Sequence, residues 1–393
     1  MLQRLIYSAR VNVFESARFY YGVLAVLTFH LLLRHSISKI FIVNGESELL
    51  FSKAVTAILY AVIYGCCIVS AILLRKQISK HFLYTWFIIC FISICNEIVF
   101  LLTNINDYDL MISVTSGQMY TNIRFTFPIL FLGVWSSLEN STMYSFNFLK
   151  LVYKVTLLNS LLVCVGVIFD LSLFESYPNS GRWGYSGLIS NVYSVIFSSL
   201  FLISKIDRSK FDFRHVLLII SLLFSGTKSG ILSLTLILLI VAIKSLKLRR
   251  LILAAIVLLL AFSSSWLPII VSYNPFWENV YSKHGFWGVF SSLRNKNFIE
   301  FMYIIENSSV FNWILGGGAR FEDFWVEILP ADIFMFYGSL GLFVMSWFYF
   351  RLIQGWKVYI PFIVGLLNGS FLIVTFAFVT YGIWAQQGKG FSE

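Results

Sequence analysis

Five ionisable side chains stand where an otherwise apolar chain could do chemistry. Glu327 and Asp332, five residues apart, flank the start of an apolar segment, and Arg182, Lys228 and Arg294 precede them in three separate polar stretches. Two carboxylates opposite three cations suit acid/base work on a substrate whose negative charge must be held. Arg182 lies in YPNSGRWGYSGLISN (177–191), where its planar fork suits phosphate. In the same stretch Gly181, Gly184 and Gly187 admit close backbone approach, and Trp183 and Tyr185 offer ring faces to a sugar or anchors to a membrane interface. Arg294 opens SLRNKNFIEFMYIIE, in which Phe298, Phe301, Met302, Ile304 and Ile305 make the apolar face of a helix. Both carboxylates and Arg294 belong to one polar excursion, Asn274–Gly341, which also carries Lys296, Glu300, Glu306, Arg320, Glu322 and Asp323. The bland alternative is a wet surface loop. Within the excursion, Asn274–Ser292 reads as a loop against the membrane surface, and Gly316–Gly318 as a flexible turn folding the chain over a cavity.

The elements that must position these groups are apolar helices. Of the 393 residues, 58% are hydrophobic, 18% aromatic and only 12% charged, with a mean hydropathy of +0.81. Soluble domains are not composed this way. Apolar runs of about 17–25 residues recur, the length a helix needs to cross about 30 Å of hydrocarbon. Their continuity excludes a barrel, whose strands alternate. The chain is therefore predicted to be all-α: a polytopic transmembrane bundle forming a single domain over 1–393, with a long extracytoplasmic loop at 273–331 containing an amphipathic helix. Helices are expected at 19–41, 54–74, 82–103, 119–137, 151–171, 187–204, 216–225, 231–244, 251–272 and 332–350. A final stretch, Tyr359–Ala385, is one helix or two broken at Asn368-Gly369-Ser370, so the total is 11 or 12. The N-terminus lacks a small-residue cleavage site, and its first apolar run reads as a retained anchor.

Charge sets the expected orientation. With the N-terminus inside, 18 of the 29 Lys and Arg residues fall in cytoplasmic segments, and 10 on the opposite side, four of them in the excursion. By the positive-inside rule the excursion faces the extracytoplasmic side. The net charge of +10 is spread over short clusters between apolar runs, a topology signal that argues against nucleic-acid binding. Cys66, Cys67, Cys90, Cys95 and Cys164 all lie in apolar segments without a CxxC pair and read as core packing, with neither metal nor disulfide.

Three intramembrane groups stand out. Glu97 and Arg124 sit near the outer ends of neighbouring helices, as a buried ion pair or as part of an anion-binding cavity. Lys228 lies in GTKSG (226–230), between a ten-residue apolar arm and the next helix. Ten residues make about 15 Å of helix. The turn should therefore fall about halfway across the bilayer, where irregular backbone is tolerated against protein or water. Lys228 is then the floor of a polar cavity, or a snorkelling side chain at a kink.

The order RWGYSGLISN, SGTKSG, SLRNKNFIEFM, ILGGG and VEILPADIFMFYGSLG resembles that of the O-antigen polymerases, within the wider O-antigen ligase and polymerase superfamily. Two positions depart from the family's pattern: Lys228 replaces an arginine, and Leu329 stands where relatives tend to have a middle acid. The resemblance spans about 177–342 by motif and the rest by hydropathy. It implies a GT-C-like, inverting, metal-independent glycosyltransferase of the bacterial inner membrane, without a cofactor and with its active face extracytoplasmic. Donor and acceptor would be glycans on undecaprenyl pyrophosphate within membrane lipid, and a chain-length-regulating membrane protein is an expected partner. Glu327 and Asp332 would supply the base. Arg182, Lys228, Arg294, Arg124, Arg320, Trp183 and Tyr185 would hold pyrophosphate and glycan. A ligase, expected to carry a histidine near Asp332, and a lipid-linked oligosaccharide flippase are the alternatives; gathering of polar groups on one side disfavours the flippase.

Overall fold

A computed structural model describes residues 16–44, 50–103, 108–178, 182–205, 212–243, 250, 254, 257, 271–272, 274–291, 294–317, 326–353, 358–367 and 375–387. Among them the chain is all-helical, with an isolated bridge between Glu175 and Tyr185. The helices are α1 (Ala17–Val43), α2 (Leu50–Leu73), α3 (Lys80–Thr103), α4 (Tyr108–Ser137), α5 (Ser141–Phe169), α6 (Asn191–Lys205), α7 (Phe213–Phe224) and α8 (Lys228–Ile243). After them come α9 (Pro275–Ser291), α10 (Arg294–Glu306), α11 (Val310–Leu315), α12 (Leu329–Leu352), α13 (Tyr359–Leu367) and α14 (Thr375–Gln387). Among the described residues five helices are long and apolar enough to cross a membrane: α1, α2, α3, α5 and α12. The chain is a membrane protein on that evidence. The helix expected at 251–272 and the break at 368–370 lie largely or wholly outside the described residues.

The centre of the bundle is built by α4, α6, α12 and α14. Phe125, Phe127 and Ile129–Leu132 of α4, Val195–Phe197 of α6 and Phe376–Val379 of α14 are all at most 2% exposed. Side chains buried all round the helix mark an element enclosed by others, and the outward faces of α2 and α3 carry the exposed apolar residues, among them Ile58, Val62, Ile72, Phe87, Ile94 and Leu102. Polar groups join the inner helices. Ser194 and Ser198 of α6 meet Ser221 of α7 at 3.0 and 3.2 Å, and Ser199 meets Ser233 of α8 at 2.5 Å. Small hydroxyl residues permit close helix approach and satisfy one another where lipid tails cannot.

Local chemistry sets several boundaries. Asp212 caps α7, accepting from the Arg214 and His215 N–H groups, while His215 Nδ1 accepts from the Asp212 N–H. Helix α12 is interrupted at Gly338, whose φ of 66° and ψ of −170° lie outside the helical region. There the chain around Gly316 packs backbone to backbone: a Cβ on Gly338 would collide with the Ile314 carbonyl. Asn96 of α3 secures the junction by donating to the Leu315 and Phe336 carbonyls at 3.0 and 3.1 Å. The expected flexible turn at Gly316–Gly318 is thus, at Gly316 and Gly317, a packed joint with α12; Gly318 lies outside the described residues.

A second correction concerns 274–292, expected as a surface loop. It is helix α9, interrupted at Gly285. The signal was local: Asn274 Oδ1 accepts from the Trp277 N–H at 3.2 Å, and Pro275 occupies the first helical position.

Candidate functional site

Two polar stretches, the connection from α5 to α6 and the turn from α7 to α8, are built against each other. The Tyr185 N–H donates to the Phe224 carbonyl at 2.6 Å, and Ser176 Oγ to the Ser225 carbonyl at 2.7 Å. The backbones cross at Gly184 and Gly226, where a Cβ on Gly184 would lie 2.5 Å from Gly226 Cα. Gly226 also has a φ of 68°. Only glycine combines that dihedral with so close an approach. The two strands of chain are therefore held as one unit, and Arg182 and Lys228, 46 residues apart, are brought together.

Two buried side chains brace this unit from behind, and neither was among the sequence candidates. Asn159, on α5 and 3% exposed, donates to the Ser186 carbonyl at 2.8 Å and accepts from the Leu188 and Ile189 N–H groups at 2.9 and 3.2 Å. Lys39, near the end of α1 and 6% exposed, donates to Ser186 Oγ at 2.8 Å and to the Gly187 carbonyl. Replacing Asn159 by leucine leaves three backbone groups unmatched in the interior. At about 1–3 kcal/mol for each unsatisfied group, we expect a lower unfolding midpoint for the detergent-solubilised protein and loss of whatever Arg182 does. A midpoint equal to that of the parent chain would show that these bonds do not hold the connection.

The cations gather around aromatic rings. The Arg182 guanidinium lies 3.9 Å from the Phe276 ring centroid, 5.0 Å from Tyr177 and 5.5 Å from Trp277. Lys228 Nζ lies 4.6 Å from the same Trp277 ring. Arg294 and Arg182 are both near enough to Lys228 to repel its charge. Ring stacking fixes the plane of the guanidinium, and Arg182 also donates a hydrogen bond to the Tyr177 hydroxyl. Burial pushes the Tyr177 phenol above its ordinary range, outweighing the downward pull of Arg182; Glu327 adds a smaller upward push. Tyr177 is therefore a neutral hydroxyl at the edge of a cationic cluster. Helix α9, with Phe276 and Trp277 in its first turn, is what draws the cluster together.

The two carboxylates take different places. Glu327 is exposed and pairs with Arg294, Oε2 to Nη2 at 3.2 Å. Its backbone has a φ of 63°, a left-handed conformation that a glutamate adopts only when its surroundings impose it. Asp332 is fully buried in the first turn of α12, where Oδ1 accepts from the Val326 N–H at 2.8 Å. Asp332, expected as a possible base, thus lies behind the backbone that presents Glu327, held there through Oδ1.

The remaining candidates divide. Trp183 is 54% exposed beside Phe224, its ring 5.6 Å away. Tyr185, expected to stack on sugar, is 5% exposed, packs with Val163 and Phe174 and donates its hydroxyl to Asp170. No ring face is left for a sugar, because the close crossing at Gly184 turns the side chain inwards. Arg124 stands on α4, which packs chiefly against α2, α3 and α14, and its carbonyl accepts from Thr375 Oγ1 at 3.2 Å. Arg320 lies outside the described residues. Lys228 is not in irregular backbone, as expected, but is the first residue of α8; the irregular part is Gly226 and Thr227.

The arrangement is thus three cations and one exposed carboxylate, drawn from four separate parts of the chain. It can hold a doubly charged anion while a carboxylate waits beside it. Comparison with protein families, with curated proteins and with solved structures finds no match for this chain.

Proposed function

We propose that this protein is an inverting glycosyltransferase that joins glycan units carried on undecaprenyl pyrophosphate, as the O-antigen polymerases it resembles do. The observation that carries the reading is the convergence of Arg182, Lys228 and Arg294 beside Glu327 in an otherwise apolar bundle. Pyrophosphate is a good leaving group once its charge is neutralised, and three positioned cations supply that neutralisation. The acceptor hydroxyl attacks the anomeric carbon as the bond to the pyrophosphate oxygen breaks. The hydroxyl proton passes to Glu327, and the bonding pair leaves with the pyrophosphate.

The pair Arg294 and Glu327 gives this sequence an order. An arriving pyrophosphate competes for Arg294 and frees the glutamate, so the base becomes available when donor is bound. Asp332 and the buried Asn159 and Lys39 are positioning groups in this scheme. The excess of Lys and Arg in the expected cytoplasmic segments supports a reaction on the extracytoplasmic side, and the resemblance supports a bacterial inner membrane.

The test is direct. Purified protein in lipid vesicles is given a lipid-linked repeat unit, and the products are separated by size. Multimers on the carrier lipid are expected. Movement of the unit across the vesicle wall without a new glycosidic bond would make the protein a transporter, and correctly inserted protein that forms neither product would end the reading.

A further inference from the structure

Helices α10 and α11 were read as part of a watery excursion, yet their surfaces are not those of a solvated element. Phe298, Ile299, Met302 and Tyr303 are 44, 69, 41 and 68% exposed. At about 100° per residue these four fall on one arc of about 140°, which Glu306 joins only at the last residue of the helix. Phe301, Ile304 and Ile305 face inwards, and Lys296 and Glu300 occupy a third arc between the other two. A helix between protein and water needs two faces; this one has three. Helix α11 continues the pattern, with Val310 76%, Trp313 46% and Ile314 49% exposed.

What lies against the third face is indicated by its neighbours. Helix α11 packs on α3 and α12, two of the helices long enough to span a membrane. Its exposed apolar residues therefore adjoin the outward faces of those spans, where Ile94, Ile98 and Leu102 of α3 and Phe343 of α12 are 50–71% exposed. Those faces meet lipid, and the exposed apolar residues of α11 extend them; the polar link 306–309 separates α11 from the apolar arc of α10. We propose that α10 and α11 form a hairpin embedded in the bilayer interface, its apolar arc in the acyl region and its charged arc at the headgroups. Such helices sink about 5–10 Å into the headgroup and acyl boundary.

A consequence follows for the site, and it rests on the glycosyl-transfer reading, whereas the embedding itself does not. Arg294 is the first residue of α10. A helix fixed at headgroup depth sets that cation level with lipid phosphates, which favours a pyrophosphate attached to a membrane lipid over one attached to a soluble nucleotide.

The experiment needs no activity. Single cysteines at Ile299, Tyr303, Val310, Lys296 and Glu300, in a chain with its five native cysteines replaced, carry nitroxide labels in phosphatidylcholine vesicles. Labels at 299, 303 and 310 should collide more often with oxygen than with a water-soluble nickel chelate, and labels at 296 and 300 should show the reverse. Free access of the chelate to 299, 303 and 310 would overturn the proposal, as would shielding from both reagents or spin coupling between copies, which indicate a protein partner. The native-cysteine protein provides a second measurement, independent of the substitutions. The tryptophan fluorescence lost in Trp313→Phe should be a component that brominated lipid quenches; an unquenched component would also overturn the embedding.

Discussion

Arg294→Ala is expected to lower chain extension in vesicles by about 10²–10³-fold, the effect of removing one charge-stabilising donor from a reacting centre, with almost no loss of stability. The two expectations are separable because the Arg294–Glu327 pair is open to water on the Glu327 side, with 25 and 51% of the two side chains exposed. Exposed pairs stabilise a fold by about 0–1 kcal/mol, whereas a donor aimed at developing charge acts with little solvent screening. Arg294→Lys should recover only part of the activity, since an ammonium lacks the planar fork. Glu327→Gln should remove the base and release Arg294 together. If Glu327 has no part in proton transfer, that variant will instead extend chains as fast as the parent. An Arg294→Ala protein of normal insertion, unfolding midpoint and product length would remove Arg294 from the anion site.

Gly226→Ala should be the more damaging substitution for the fold, although it adds one methyl group. The new Cβ would collide with the Trp183 carbonyl and lie 2.6 Å from Gly184 Cα, both backbone atoms that cannot rotate away. The φ of 68° adds strain for any residue with a Cβ. Overpacking costs about 1–3 kcal/mol and an imposed left-handed conformation about 1–3 kcal/mol. The sum is a large part of the stability of an ordinary domain. Gly22→Ala in α1 is the matched control, since a Cβ there meets nothing within 4 Å and alanine favours a helix over glycine by about 1 kcal/mol. Unfolding midpoints of the two proteins, in the same detergent, should move in opposite directions. A Gly226→Ala midpoint equal to that of the parent would mean that the crossing can open without cost.

These two outcomes separate what the residues announce from what the packing decides. Arg182, Lys228, Arg294 and Glu327 were legible because a charge is costly in a chain with a mean hydropathy of +0.81, so each one retained invites a reason. Asp332 was legible as a residue, and its burial was not. A carboxylate written beside Glu327 looks like its equal until the fold buries it on the Val326 amide.

Lys39 and Asn159 were missed for a related reason. Each is one polar residue among several in its helix, and the groups they bind, Ser186 to Ile189, are up to 148 residues away. Trp277 looked like one interfacial aromatic among many, because no local pattern distinguishes a ring facing lipid from one holding Arg182 and Lys228.

Composition and periodicity alone determined that this chain lies in a membrane and is helical, since both follow from the length and continuity of apolar runs, which are local properties. Local capping chemistry fixes the boundaries at Asp212 and at Asn274-Pro275, although the stretch after Asn274 had read as a loop. Only the tertiary structure decided that four charged groups from separate segments meet, that Glu327 is exposed while Asp332 is enclosed, and that α10 has a third, apolar face. Those properties depend on which backbones can approach, as at Gly184 and Gly226, and close approach between distant segments leaves no periodic trace in the sequence.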